Sequence, residues 1–132
     1  MLDIVMTLKP GLYIVATPIG NLEDITIRAL KILQSSKIIL CEDTRVSRKL
    51  LGKYHISAKL QIYNDHSDYQ TRENVRMLID SGSVISLISD AGTPLIADPG
   101  YKLVRYLRQS NCNVDVIPGV SSITTAITVD YQ

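Results

Sequence analysis

A chain of 132 residues is the size of one domain, and it buries about two thirds of its extended surface on folding, so a core forms without disulfide or metal staples. The composition is 45% hydrophobic and 20% charged, which excludes a disordered or collagen-like chain. Fourteen basic and 13 acidic residues leave a net charge of +1. This balance argues against a dedicated nucleic-acid-binding module, although not against an RNA substrate held mainly by another domain.

The first half of the chain alternates short apolar runs with amphipathic helices. After an N-terminal extension over 1–10, the apolar run 12–16 predicts a strand. Apolar residues then recur at helical spacing from Ile25 to Leu33, which predicts a helix with Asp24 as its N-cap. The next predicted elements are a strand over 37–41, a helix over 44–53, a strand over 60–63 and a helix over 71–81 that ends at Gly82.

The second half continues the same alternation. The nearly continuous apolar run 84–88 suits a strand covered on both faces, as in a parallel sheet. Asp98 and Pro99 predict the start of a helix whose buried stripe is Leu103, Val104 and Leu107. A strand over 114–117 and a helix near 121–129 complete five β–α units. We therefore predict an α/β domain over 11–132, with a five-stranded, mostly parallel sheet and flanking helices.

In an open parallel sheet, ligands bind outside the carboxyl ends of the strands, so the loops after the strands are the place for a site. All five loops are rich in Gly, Pro, Asp, Thr and Ser, and turn chemistry alone accounts for much of that composition. The loops span 17–21, 42–45, 64–67, 89–94 and 118–122. Their shared position at one sheet edge favours a binding site.

Several common sites are excluded. The seven glycines build neither a dinucleotide-binding G-x-G-x-x-G nor a P-loop, and the chain has no G-x-S-x-G nucleophile elbow. His55 and His66 have no Cys or His at metal-ligand spacing, so we expect no metal. The first strand ends Ala16-Thr17-Pro18 without acidic residues, which counts against a receiver-type phosphoacceptor.

The loop 89–100 is the longest, and Gly92 and Pro94 shape it. Its backbone N–H and C=O groups suit an amino acid joined to a nucleoside. Three carboxylates would place negative potential nearby and favour a cationic group such as a sulfonium: Asp43, Asp90 and Asp98.

Four blocks of sequence resemble one subfamily of the tetrapyrrole methylase superfamily, the small-subunit ribosomal RNA methyltransferases that 2′-O-methylate a cytidine. The blocks are A-T-P-I-G-N-L at 16–22, E-D-T-R at 42–45, S-D-A-G-T-P at 89–94 and P-G-V-S at 118–121. The resemblance covers 11–129 and implies S-adenosylmethionine as donor, 16S ribosomal RNA of the small subunit as substrate, and a homodimer. The subfamily has a second domain of similar size, so the resemblance implies that this chain is the N-terminal donor- and substrate-binding half and inactive alone.

The resemblance also implies roles for individual residues. Carried over by position, the donor pocket comprises Pro18, Ala91, Gly92, Thr93, Ile96, Ala97, Ser121 and Ser122. Asp43 is the first candidate for a catalytic base, with a helix N-cap as the alternative role. His66 is the second candidate, with a solvated loop position as the favoured alternative, and Asn64 stands where relatives often carry another histidine.

Four cations share one predicted helix face, Arg45, Arg48, Lys49 and Lys53. The first three are candidate contacts to substrate RNA, and a solvated surface is the alternative. Two other functions stay open, a precorrin- or uroporphyrinogen-type tetrapyrrole methylase and a non-catalytic truncated fragment. The N-terminus lacks a basic signal region and no apolar stretch could cross a bilayer, so we expect no membrane association and a cytoplasmic location. Cys41 ends an apolar run and is predicted to be a buried reduced thiol.

Overall fold

The computed structural model describes residues 8–17, 22–63, 69–89 and 100–118. Within these residues five strands form one sheet: β1 (Gly11–Ala16), β2 (Ile38–Cys41), β3 (Lys59–Ile62), β4 (Val84–Ser89) and β5 (Val114–Ile117). The helices are α1 (Ile27–Ser35), α2 (Thr44–Lys53), α3 (Tyr69–Asp80) and α4 (Tyr101–Gln109). Each described helix lies between two strands, as the alternating pattern predicts.

The strands lie in the order β3-β2-β4-β1-β5, and every pairing in the described sheet is parallel. The predicted five-stranded parallel α/β fold is therefore confirmed. The two central strands, β1 and β4, pair along their whole length from Gly11↔Val84 to Ala16↔Ser89. Their near-continuous apolar sequence follows from this position, because a strand in the middle of a parallel sheet is covered on both faces.

Alternate side chains of β1 enter two separate cores. Tyr13 and Val15 pack on the first face of the sheet with the buried stripes of α1 and α2. Leu12 and Ile14 pack on the second face with the buried stripes of α3 and α4. The two-residue period of the strand thus distributes one apolar run between two layers of helices. The predicted stripe of α4, Leu103, Val104 and Leu107, is buried in the second core.

One polar pair interrupts the first core. Ser86 of β4 is fully buried, and its Oγ lies 2.6 Å from Oγ of Ser36, the C-cap of α1. The Ser36 hydroxyl donates to the Ile32 carbonyl at 2.8 Å, so the Ser86 hydroxyl donates to Ser36. A buried hydroxyl is tolerated here because its hydrogen bonds are satisfied.

Two predicted helix starts are wrong. Asp24 lies in a short 3-10 helix, Leu22–Asp24, and α1 is capped instead by Thr26, whose hydroxyl accepts from the Ala29 N–H at 3.1 Å. The predicted helix start at Asp98 is also wrong, because α4 begins at Tyr101 with Gly100 as its N-cap and no side-chain cap. Gly100 is buried, and a Cβ on it would lie 2.6 Å from Leu87 Cδ2, so close packing selects glycine at this boundary. Asp98 and Pro99, and the predicted helix over 121–129, lie outside the described residues.

Cys41 is buried and not in a disulfide, as predicted from its apolar run. No described helix is long and apolar enough to cross a membrane.

Candidate functional site

The carboxyl ends of all five described strands meet at one edge of the sheet. The register aligns Ala16 with Ser89, Cys41 with Ile62, and Val15 with Ile117. The chain therefore leaves β1, β2, β3, β4 and β5 along a single rim, as the parallel topology requires. Each predicted binding loop starts from this rim.

The chains that leave the central strand β4 and its neighbours continue to opposite faces of the sheet. Its neighbours in the sheet are β2 and β1. The chain leaving β1 and β2 enters α1 and α2 on the first face, whereas the chain leaving β4 enters α4 on the second face. In open α/β sheets, ligands bind where the chains that leave neighbouring strands continue to helices on opposite faces. The same division occurs between β2 and β3, since α3 packs on the second face, so the topology favours a ligand among the ends of β1, β4, β2 and β3.

Asp43 stands at this rim, between β2 and α2. Its backbone is extended, and its Oδ1 accepts the Arg45 backbone N–H at 2.9 Å, which makes Asp43 the N-cap of α2. The Arg45 side chain binds the same carboxylate with two atoms, Nε to Oδ1 at 3.2 Å and Nη2 to Oδ2 at 2.8 Å. The capping role is therefore present, and the carboxylate is also the partner of a cation two residues away.

The Arg45 contacts lower the pKa of Asp43 to about 2, first through the side-chain hydrogen bonds and then through the backbone N–H. A carboxylate with this pKa stays ionised at neutral pH. It suits the electrostatic stabilisation of a cation, and it accepts a proton poorly while Arg45 holds it, because a general base works best with a pKa near the operating pH.

The four cations of α2 differ in their contacts. Arg45 is 84% exposed at its side chain although it pairs with Asp43. Lys53 lies 3.8 Å from Glu23 and over the Tyr54 ring at 5.8 Å. Arg48 and Lys49 are exposed and form no ion pair within the described chain. A polyanion could therefore reach these two cations without breaking a described contact.

The remaining predicted site residues lie outside the described part of the chain. These are the candidate base His66 and the donor-pocket set Pro18, Ala91, Gly92, Thr93, Ile96, Ala97, Ser121 and Ser122. Their roles stay predictions. The described strand ends nevertheless bear on two of them, because Pro18 follows β1 by two residues and Ala91 follows β4 by two residues, and β1 and β4 are paired neighbours.

Sequence reasoning overlooked a second cationic helix. Helix α4 carries Lys102, Arg105 and Arg108 and no acidic residue, just as α2 carries four cations and no acidic residue. Half of the 14 basic residues thus lie on two helices, which a net charge of +1 conceals. Counting the charges separately for each predicted helix would have found this cluster, whereas the net charge of the whole chain hides it.

Comparisons with known proteins agree with this fold. A sequence profile of the family described as Tetrapyrrole (Corrin/Porphyrin) Methylases matches residues 11–130. The chain is 67% identical over 124 residues to Ribosomal RNA small subunit methyltransferase I of Rickettsia prowazekii (strain Madrid E), covering 94% of this chain and 44% of that protein. It is 47% identical over 121 residues to the protein of that name in Mesorhizobium japonicum, covering 92% of this chain and 41% of that protein. The chain thus spans less than half the length of these two curated relatives.

Two solved structures share the fold at low identity. The cobalt precorrin-4 methyltransferase CbiF superposes with a TM-score of 0.71 at 20% identity, over 89% of this chain and 49% of that one. A uroporphyrin-III C-methyl transferase from Thermus thermophilus, complexed with S-adenyl homocysteine, superposes with a TM-score of 0.63 at 18% identity, over 85% of this chain and 46% of that one.

Proposed function

The chain belongs to the tetrapyrrole methylase family, and from this membership we propose that it is the N-terminal half, residues 11–132, of an S-adenosylmethionine-dependent methyltransferase that acts on small-subunit ribosomal RNA. The observation that carries the proposal is the 67% identity, over 94% of this chain, to the Rickettsia small-subunit methyltransferase. The two superposed structures, at 20% and 18% identity, support the architecture alone. The proposed substrate therefore rests on the Rickettsia relative.

The donor pocket in this proposal lies where β1 and β4 end. Pro18 and the segment 91–97 leave two neighbouring strands whose last residues, Ala16 and Ser89, are paired. The position between them suits a ligand because the helices that follow the two strands pack on opposite faces of the sheet. Ser121 and Ser122 come from the chain that leaves β5 at the same rim. The described rim therefore fits a ligand that is gripped by several loops at once.

The proposed reaction is 2′-O-methylation of a cytidine ribose. S-adenosylmethionine, when bound, supplies a methyl group on a positively charged sulfur. The chain has to align the ribose oxygen with that methyl carbon, so that the C–O bond forms as the C–S bond breaks, and positioning of this kind supplies several orders of magnitude in rate. The hydroxyl proton leaves to a base, for which Asp43 is the first candidate and His66 the second.

Asp43 and Arg45 are coupled in this mechanism. The 84% exposure of the Arg45 side chain lets its guanidinium turn to an RNA phosphate. Once it turns, Asp43 loses the main cause of its low pKa and becomes a better proton acceptor. Substrate contact by Arg45 and basicity of Asp43 would then rise together. Arg48 and Lys49 would add phosphate contacts from the same helix face.

The resemblance further supports a homodimer and a cytoplasmic location. In the proposed enzyme, a second domain completes the donor cleft. Because the relatives are more than twice as long as the matched segment, we expect this chain alone to be inactive.

The test is methyl transfer by the chain joined to the remaining C-terminal part of the Rickettsia relative. Small ribosomal subunits from a strain without such an enzyme and radiolabelled donor are the substrates, and the intact relative is the matched control. We expect the fusion to label 16S ribosomal RNA at one nucleotide that resists alkaline cleavage, because cleavage needs a free 2′-hydroxyl. The 132-residue chain alone should give no label.

Two other results would support the alternative functions. Labelling of uroporphyrinogen or a precorrin instead of RNA would replace the RNA substrate with a tetrapyrrole. A folded fusion that labels neither substrate, while the intact relative labels RNA, would identify the chain as a non-catalytic fragment.

A further inference from the structure

Helix α4 lines a groove whose residues are not part of the candidate site described above. The groove has a volume of about 490 Å³, and its described lining residues are Tyr101, Val104, Arg105, Arg108 and Gln109. This volume lies within the range of small-ligand sites. Val104 is almost fully buried and supplies an apolar floor, whereas the tyrosine and the two arginines stand on the exposed side of the helix.

The spacing of the three exposed residues forms a stripe. Tyr101, Arg105 and Arg108 stand at i, i+4 and i+7, so they share one helix face. The two arginines are about 4.5 Å apart along the helix axis. Tyr101 exposes 55% of its surface. A ring followed by two guanidiniums can meet a base and then successive phosphates of one strand.

The charge around the groove is positive. Neither Arg105 nor Arg108 forms an ion pair in the described chain. Glu73 of α3 contacts α4, because its carboxylate accepts from Arg76 and from the Tyr106 hydroxyl of α4. Arg76 lowers the pKa of Glu73 to about 2, so this carboxylate is already occupied by a cation. A polyanion at the groove would therefore meet the two unpaired guanidiniums, and the nearby Glu73 carboxylate is already neutralised by Arg76.

We propose that the α4 groove binds a single-stranded segment of the RNA substrate, with one base on the Tyr101 ring and phosphates on Arg105 and Arg108. The inference rests on the proposed function for its choice of RNA as the polyanion. It adds a contact on the second face of the sheet, whereas the candidate contacts Arg48 and Lys49 lie on α2 at the first face. Substrate RNA would then contact both faces of the domain.

The experiment measures binding of the 132-residue chain to a fluorescein-labelled single-stranded RNA of about 10 nucleotides, by anisotropy over a series of salt concentrations. The slope of log association constant against log salt concentration is negative. Arg105→Gln/Arg108→Gln should make it shallower by about 1.4, the value for two lost phosphate contacts. Lys37→Gln/Lys59→Gln is the matched control. It also removes two exposed cations, at the amino ends of β2 and β3, and should change the slope much less.

The contact to a base is tested separately. Tyr101→Leu should weaken RNA binding by about tenfold, because stacking of a base on an aromatic ring is lost. The same substitution should leave binding to an abasic oligonucleotide of equal length unchanged. All substituted side chains are exposed, and a circular dichroism melt verifies that each variant folds.

The outcomes separate this inference from the proposed function. A parent-like slope for Arg105→Gln/Arg108→Gln, or a parent chain that shows no salt-dependent RNA binding, overturns the α4 inference, whatever the fusion enzyme methylates. A change in sedimentation of the double variant with unchanged RNA affinity also overturns it and identifies the groove as a protein–protein contact. If α4 binds RNA but the fusion methylates none, the proposed function fails and the binding surface stands.

Discussion

Asp43 shows how one side chain can serve the fold and remain a candidate for chemistry. It caps α2 through the Arg45 N–H at 2.9 Å and binds the Arg45 guanidinium with both oxygens. The cap positions the carboxylate at the rim, and the cation keeps it ionised. The capping role that sequence analysis left open is therefore confirmed, while the catalytic role stays a prediction whose chemistry depends on where Arg45 points.

The effect of Arg45 on Asp43 can be measured directly. Arg45→Gln should raise the Asp43 pKa from about 2 towards about 3.9, but not fully, because the backbone N–H still binds the carboxylate. A depressed pKa contributes stability above the unfolded value that is lost as pH falls through the folded value. The acid loss of the α2 cap should thus move from near pH 2 to higher pH.

Carbon-detected NMR titration of the Asp43 carboxyl carbon reports this pKa. Lys49→Gln on the same helix is the control and should leave it near 2, since Lys49 does not contact Asp43. An unchanged Asp43 pKa in Arg45→Gln would show that the guanidinium does not hold the carboxylate in solution.

Helix α4 connects the sheet to the longest predicted binding loop. Its N-cap, Gly100, has ordinary helical backbone angles, φ −89° and ψ −4°, so glycine is not required by its backbone conformation. A larger residue is instead disfavoured by contact, because an added Cβ would lie 2.6 Å from Cδ2 of Leu87 in the central strand. The loop 89–100 therefore ends at a buried residue that packs against the sheet.

Gly100→Ala should destabilise the domain by about 1–3 kcal/mol, the usual cost of overpacking a core. The matched control is Gly52→Ala in α2, where an added Cβ meets nothing within 4 Å. This control should gain up to about 1 kcal/mol, because alanine is the better helix former. Urea unfolding curves of both variants give the comparison, and equal midpoints would show that Leu87 yields without cost.

At the scale of the whole molecule, the sheet brings five loops to one rim and splits the helices between two faces. This split is the topology at which ligands bind in open α/β sheets. The chain spans 44% of its Rickettsia relative, so a cleft between two domains would draw a large part of its wall from the remainder of that protein. We therefore expect donor affinity to depend on both domains.

Calorimetry with S-adenosylhomocysteine should show at least about tenfold weaker binding by the 132-residue chain than by its fusion to the C-terminal part of the relative, a difference of about 1.4 kcal/mol. The reason is that a ligand site buries most of the ligand surface, and one domain covers only one side. Equal affinities would contradict a two-domain cleft and assign the whole donor site to this chain.

The sequence predicted most local structure correctly, and its errors have local causes. All five strands and the four described helices follow from apolar runs and helical periods. At each of the two wrongly predicted helix starts, several residues within a few positions could cap a helix. Asp24 competes with Thr26, and Asp98 precedes a glycine whose packing on Leu87 decides the boundary. Choosing between such neighbours depends on contacts with distant strands, which no local pattern contains.

The sequence alone determined the alternation of strands and helices, the covered central strands and the family motifs. All of these depend on residue spacing along the chain. The tertiary structure alone decided the order β3-β2-β4-β1-β5, the division of the apolar side chains between two cores and the contact of Gly100 with Leu87. These features depend on which residues meet across the sheet and on which face each helix packs, and the free energy that selects them comes from burying side chains that lie far apart in sequence.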